Sequence, residues 1–140
     1  AVLAGLPREE EDALREYGLQ LGFAFQIADD LLDYVSDAGT LGKNIGDDLA
    51  EGKPTLPLIY AIERAEPAQA EALRRALQSD RLSSLDAIIA AIRDSGAMDR
   101  TRARAQSHAD AARAALAALP PSRWRDALDA LAVYAVERDH

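Results

Sequence analysis

From Leu14 an apolar residue recurs every three or four positions, through Tyr17, Leu21, Phe25, Ala28 and Leu32 to about Val35. That is the period of a helix with one face turned to a core. Pro7 followed by Arg8-Glu-Glu-Glu-Asp12 places proline in the first turn and acids at the positive end of the helix dipole, so the helix starts there. Ser36-Asp-Ala-Gly-Thr40 and Gly42 end it, and residues 41–53 read as a loop with one short helical turn. Lys53-Pro-Thr-Leu-Pro57 restarts the chain, with Thr55 as cap and Pro57 in the first turn of a helix from Leu58 to about Arg64. Alanine-rich amphipathic stretches follow at about 68–78, 83–95, 98–118 and 122–137, divided by Ser79-Asp80, Ser95-Gly96 and Leu119-Pro-Pro-Ser122. No alternating strand pattern occurs. The fold class is therefore all-α, a helical bundle whose alanines permit close packing, with Trp124 expected to anchor the last helix against the core.

At 140 residues and 49% hydrophobic content the chain suits one domain, residues 1–140, with a real core. Its net charge of −8 argues against a general nucleic-acid surface, which needs clustered Lys and Arg. A phosphate-bearing small molecule stays open if metal ions carry the positive charge. The absence of cysteine excludes a disulfide framework, a thiolate metal site and a Cys nucleophile. No run approaches the roughly 18 apolar residues of a membrane-spanning helix, and no basic leader with a cleavage site opens the chain. A soluble, cytoplasmic protein is the expectation. The opening Ala1-Val-Leu-Ala-Gly5, without Met and shaped like the closing turn of a helix, suggests a piece of a longer chain.

The chemistry concentrates in Phe25-Gln-Ile-Ala-Asp-Asp-Leu-Leu-Asp33. No Lys or Arg lies between Arg15 and Lys43. At about 100° per residue, Gly22, Gln26, Asp30 and Asp33 fall on one side with Asp29. Like charges at i,i+4 weaken a helix by about 0.2–0.5 kcal/mol, a cost that a bound cation would reverse. Asp29, Asp30 and Asp33 offer hard oxygens suited to Mg²⁺, which shares its shell between one or two carboxylates, water and substrate phosphates. The competing reading is a solvated acidic face. Gly22 and Gln26, small and neutral beside the carboxylates, favour a site.

Lys43 and Lys53 are the chain's two lysines, and all other basic residues are Arg. Both fall in the segment after the acidic face, where compact point charges could hold a diphosphate. Asp47 and Asp48 either add metal or water ligands or cap a short helix through Leu49. Gln26 either bonds a ligand or orients a carboxylate. His108 and His140 are isolated and read as surface residues, and Arg100-Thr-Arg-Ala-Arg104 as a solvated face that balances acids.

Phe25-Gln-x-x-Asp-Asp-x-x-Asp33, followed by Gly42-Lys-x-x-Gly-Asp-Asp-Leu-x-Glu-Gly-Lys-x-Thr-Leu-Pro57, resembles the second aspartate-rich region of trans-polyprenyl diphosphate synthases. The likeness covers essentially the whole chain and is nearest in wording to the bacterial octaprenyl-forming members. It implies the isoprenoid synthase fold, a homodimer, and condensation of an allylic diphosphate with isopentenyl diphosphate for isoprenoid and quinone side-chain biosynthesis. Three Mg²⁺ ions would grip the allylic diphosphate. Asp29 is implied as the direct metal ligand, Asp30, Asp33 and Asp48 as supporting ligands, and Lys43, Lys53 and Gln26 as substrate contacts. The cavity for the growing chain would be lined in part by the first helix, through residues such as Phe23 or Ala24.

The family's first aspartate-rich motif and its isopentenyl-diphosphate-binding basic residues lie upstream of Ala1, so this polypeptide alone is expected to have little or no synthase activity. A non-catalytic helical subunit that supports a partner is the alternative. A terpene cyclase shares the fold but usually carries an Asn/Ser/Glu-type second metal motif.

Overall fold

The computed structural model describes residues 2–35, 48, 51–78 and 81–137. Its helices are α1 (Arg8–Val35), α2 (Leu56–Arg64), α3 (Pro67–Gln78), α4 (Arg81–Asp94), α5 (Ala97–Ala115) and α6 (Arg123–Glu137), with 3₁₀ turns at Val2–Ala4 and Leu116–Ala118. No strand occurs among the described residues. The expected all-α class and helix order are what the chain forms, with boundaries moved by one to a few residues. The contacts gather into two compact units, residues 1–28 with 103–139, and residues 29–102.

The second unit carries the acidic motif. Its core joins Tyr34 at the end of α1 to Leu58 and Ala61 of α2, to Ile88, Ile89 and Ile92 of α4, and to Ala97. Leu58 and Ala61 stand three apart and Ile88 and Ile92 four apart, so each helix turns one stripe inward. Pro57 sits in the first turn of α2, as expected. Thr55 is its N-cap residue by position, yet its hydroxyl makes no cap bond. It instead meets the Tyr34 hydroxyl at 2.6 Å, both oxygens being buried. A side-chain cap is worth about 1 kcal/mol, and α2 forgoes it.

Between α4 and α5, Gly96 takes φ 73°. Ser95 Oγ donates to the Ile92 carbonyl at 2.7 Å and accepts the Ala97 N–H at 3.1 Å, so one hydroxyl serves the end of one helix and the start of the next. Among the described residues beyond its chain neighbours, a Cβ at Gly96 would meet Arg64 Nη1 at 3.6 Å, an ordinary contact. Gly96→Ala is therefore expected to cost about 1–2 kcal/mol through backbone conformation alone, read as a lower unfolding midpoint. A neutral result would show that the turn can relax out of the left-handed region.

In the first unit, Tyr17 of α1 packs with Ala112, Leu116 and Ala132, and its hydroxyl donates to the Leu128 carbonyl at 2.8 Å. Buried Ala105, Ala109 and Ala112 give α5 a small-residue face, as the alanine content suggested. Ser122 caps α6 by accepting the Arg125 N–H on Oγ at 3.2 Å.

Two expectations need correction. Trp124 does not anchor α6: it is 68% exposed, and the Arg123 guanidinium lies over its ring at 4.4 Å. On α1 the buried stripe is Tyr17, Ala24, Ala28, Leu31 and Tyr34, while Phe25 and Val35 are about half exposed. Tyr17 and Ala28 belong to both faces, but choosing the large Phe25 over the small Ala24 turned the expected face by roughly 65°. The same rotation leaves Phe23 exposed and Ala24 fully buried.

Candidate functional site

At about 100° per residue, Gly18, Gly22, Phe25, Gln26 and Asp33 lie within roughly 60° of Asp29 around α1. Asp33 is half-buried and the others, Asp29 included, are exposed. This side is opposite the buried stripe. Along the helix it changes from glycine and apolar residues to an amide and then to carboxylates. Gly18, Leu21, Gly22 and Phe25, with Leu131, Tyr134 and Ala135 of α6, line an open cavity of about 370 Å³ in the first unit, nearly all apolar. Among the described residues, and leaving aside the helix's own backbone, nothing lies within 4 Å of where a Cβ on Gly18 or Gly22 would stand, so the glycines form a smooth floor.

In the second unit the acidic end of α1 meets the segment that returns to α2. Asp48 has helical backbone, and its N–H donates to Asp33 Oδ2 at 3.3 Å. Gly52 has φ 83°, and the Lys53 N–H closes back on the Asp48 carbonyl at 2.9 Å. A left-handed glycine with a bond spanning five residues is a Schellman closure. It folds Lys53 over Asp48, and Lys53 Nζ reaches Asp48 Oδ1 at 2.6 Å and Glu51 Oε2 at 2.8 Å. The bonds to Asp48 and Glu51 hold the ammonium protonated well above the usual lysine range. Lys53 is exposed, so these pairs carry charge to a place more than they carry stability.

Burial pushes the Tyr34 hydroxyl up to about 12; the bond with Thr55 opposes that shift, and the charges of Asp33, Asp48 and Asp30 add to it. Three of the expected ligand carboxylates thus act on one buried hydroxyl. Among the described residues, however, no three His, Asp or Glu side chains converge to enclose a metal ion by themselves. Carboxylates of this kind still fit Mg²⁺, because that ion keeps waters and takes the rest of its shell from phosphates.

The structure therefore brings Asp33, Asp48 and Lys53 together, with Asp30 on the flank of the same turn and Asp29 exposed at the middle of the stripe. Gln26 lies one turn before Asp30, exposed on the same side. Lys43 and Asp47 fall outside the described residues. His108 is half-buried instead of free at the surface: its Nδ1 stands 2.6 Å from Gln20 Oε1, its ring centroid is 5.2 Å from that of Phe23, and burial together with the Arg104 charge lowers its pKa. Arg100 pairs with Glu63 at 2.8 Å and Arg102 with Asp99 at 3.0 Å, the charge-balancing role expected of that run. Sequence reasoning missed Glu51 as a partner of Lys53, and it missed Tyr34 and Thr55 as a buried polar pair. The available signal was a hydroxyl-bearing Tyr34 next to Asp33, in phase with the true buried stripe.

Residues 1–94 match the family model described as Polyprenyl synthetase. The chain belongs to the polyprenyl synthetase family. It is 50% identical over 139 residues to octaprenyl diphosphate synthase of Escherichia coli (strain K12), covering 99% of this chain and 43% of that protein. To all-trans-nonaprenyl-diphosphate synthase (geranyl-diphosphate specific) of Rhodobacter capsulatus it is 48% identical over 138 residues, 99% of this chain and 42% of that protein. The crystal structure of polyprenyl synthase from Caulobacter crescentus CB15, complexed with calcium and isoprenyl diphosphate, superposes with a TM-score of 0.88 at 48% identity, over all of this chain and 43% of that one. This polyprenyl synthetase chain thus spans less than half the length of the relatives it matches. It has the all-α isoprenoid synthase fold of its neighbours, and no described helix is long and apolar enough to cross a membrane.

Proposed function

We propose that this chain supplies one side of the substrate site of a polyprenyl diphosphate synthase, holding the diphosphate of the allylic substrate through Mg²⁺ and lysine. The observation that carries the reading is the linkage of Asp33 to Asp48 and of Asp48 to Lys53, which puts metal-ready carboxylates and an ammonium in one place. Asp29 is the direct metal ligand in this assignment, and Asp30, Asp33 and Asp48 support it directly or through water. Lys53 contacts the diphosphate. Lys43, outside the described residues, is assigned the same role on the motif alone, and Gln26 orients the ligand or a carboxylate.

Bound Mg²⁺ would neutralise charge on the departing diphosphate. In the reaction the allylic carbon–oxygen bond breaks, the isopentenyl double bond attacks that carbon, and a proton is lost as the new double bond forms. Lys53 offers a fixed positive charge where negative charge develops on the leaving group. The other half of the clamp and the isopentenyl diphosphate contacts are assigned, in this reading, to the part of the relatives that this chain does not cover. Octaprenyl is the proposed product length, from the similarity to an octaprenyl diphosphate synthase. A cytoplasmic homodimer of the assembled enzyme is proposed with it.

The test is complementation. Alone, a polypeptide of these 140 residues is expected to show little or no incorporation of labelled isopentenyl diphosphate. Mixed with or fused to the uncovered part of the Escherichia coli relative, it is expected to condense labelled isopentenyl diphosphate with an allylic diphosphate when Mg²⁺ is present. Condensation by the chain alone would overturn the half-site assignment.

A further inference from the structure

The diphosphate reading rests on a half-buried bond from Asp48 to Asp33 and on the exposed Lys53–Asp48 pair, and an exposed pair does not hold geometry firmly. Beneath them lies a buried one. Tyr34, the residue after Asp33, is fully buried, and Thr55, two residues after Lys53, is 6% exposed. Their hydroxyl oxygens are 2.6 Å apart. The Tyr34 carbonyl accepts a bond from Arg93 Nη2 at 2.8 Å, which fixes the last turn of α1 to the end of α4. On the other side, the Thr55 N–H donates to the Lys53 carbonyl at 3.0 Å, and the Thr55 carbonyl accepts the Ile59 N–H at 3.1 Å as α2 begins. One buried contact therefore joins the frame of the carboxylates to the frame of the lysine.

A threonine at this position would ordinarily spend its hydroxyl on capping α2. Here the helix starts without that bond. A tyrosine kept only to fill the core would need no hydroxyl partner from the loop that carries Lys53. Resting on the diphosphate reading, we propose that the Tyr34–Thr55 hydroxyl pair is a positioning device that sets Lys53 and Asp48 against the acidic end of α1, so that metal-held and lysine-held oxygens belong to one diphosphate. Neither side chain touches the ligand. Burial makes their bond more persistent than the surface pairs above it.

Tyr34→Phe and Thr55→Val remove one hydroxyl each at nearly constant volume, and Thr55→Ser keeps the bond. Ile89→Val, in the same core but without a hydroxyl to lose, serves as a control that lowers stability only. Amide hydrogen exchange at Asp48 and Lys53 is followed by NMR in each variant, together with the pyrophosphate concentration that half-saturates the protein in Mg²⁺. Tyr34→Phe and Thr55→Val are expected to lower protection at Asp48 and Lys53, and to weaken pyrophosphate binding, each by about two- to tenfold relative to the control. The double variant should be little worse than either single one, and Thr55→Ser should behave as the parent.

Changes that Ile89→Val reproduces in full would make the pair merely structural and overturn the proposal. So would unchanged protection at Asp48 and Lys53. If the parent chain binds no pyrophosphate at all, the diphosphate reading fails, and the exchange measurement still decides whether the pair positions the loop.

Discussion

Asp29→Ala is expected to lower the condensation rate of the complemented enzyme by about 10²–10³-fold, the loss seen when one preorganised stabiliser of developing charge is removed. Asp29 stands exposed at the centre of the acidic stripe, so its carboxylate contributes little to packing. Its removal also relieves the i,i+4 repulsion from Asp33, which should raise helix stability by about 0.2–0.5 kcal/mol. Loss of nearly all turnover in a variant that still melts cooperatively separates this effect from simple unfolding. Initial rates with labelled isopentenyl diphosphate and a thermal melt of the same preparation supply both numbers. Recovered activity that ignores Asp29 would instead favour a non-catalytic subunit that supports its partner.

The largest expected loss of stability comes from Ile92→Ala. Ile92 is fully buried among Tyr34, Leu58, Ile88 and Ala97. Truncating it removes methyl and methylene groups and leaves a cavity that neighbours in four helices can only partly close. A cost of about 2–5 kcal/mol follows, measured by chemical denaturation. Unit 2 has a small core, so such a loss is a large part of a typical domain's margin of about 5–15 kcal/mol. Trp124→Ala deletes a larger side chain but one that is mostly exposed and stacked by Arg123, so its effect should stay within about 0.5 kcal/mol. A loss below about 1 kcal/mol at Ile92 would contradict the core as described.

These contrasts show what could be read from the chain. Helix order and approximate limits were legible because Pro7, Pro57, Gly5, Gly96 and the Pro120-Pro121 pair act through local backbone geometry. The acidic face was legible because spacing on a helix is rigid. Which residues that helix buries was not. Hydrophobicity alone ranks Phe25 above Ala24, yet Ala24 is inside and Phe25 lines an open groove. The identity of a buried position depends on how closely its neighbours approach, which residue type alone does not reveal. Trp124 failed for a related reason, since size predicts burial only where a facing surface exists.

At the site, Lys53 stood out by type and place, but its partners did not. Asp48 meets it because Gly52 adopts a left-handed turn, a closure that residue type permits without dictating. Thr55 looked like a cap because capping is local. Its actual bond reaches across 21 residues to Tyr34, and no local rule foresees that.

The most direct test of the central claim is isothermal titration of this chain with pyrophosphate, with and without Mg²⁺. Binding should appear only with Mg²⁺ and should be lost in Asp29→Asn, a neutral variant of similar shape. Saturable binding of equal strength without metal, or binding unaffected by Asp29→Asn, would contradict a diphosphate held through carboxylate-bound magnesium.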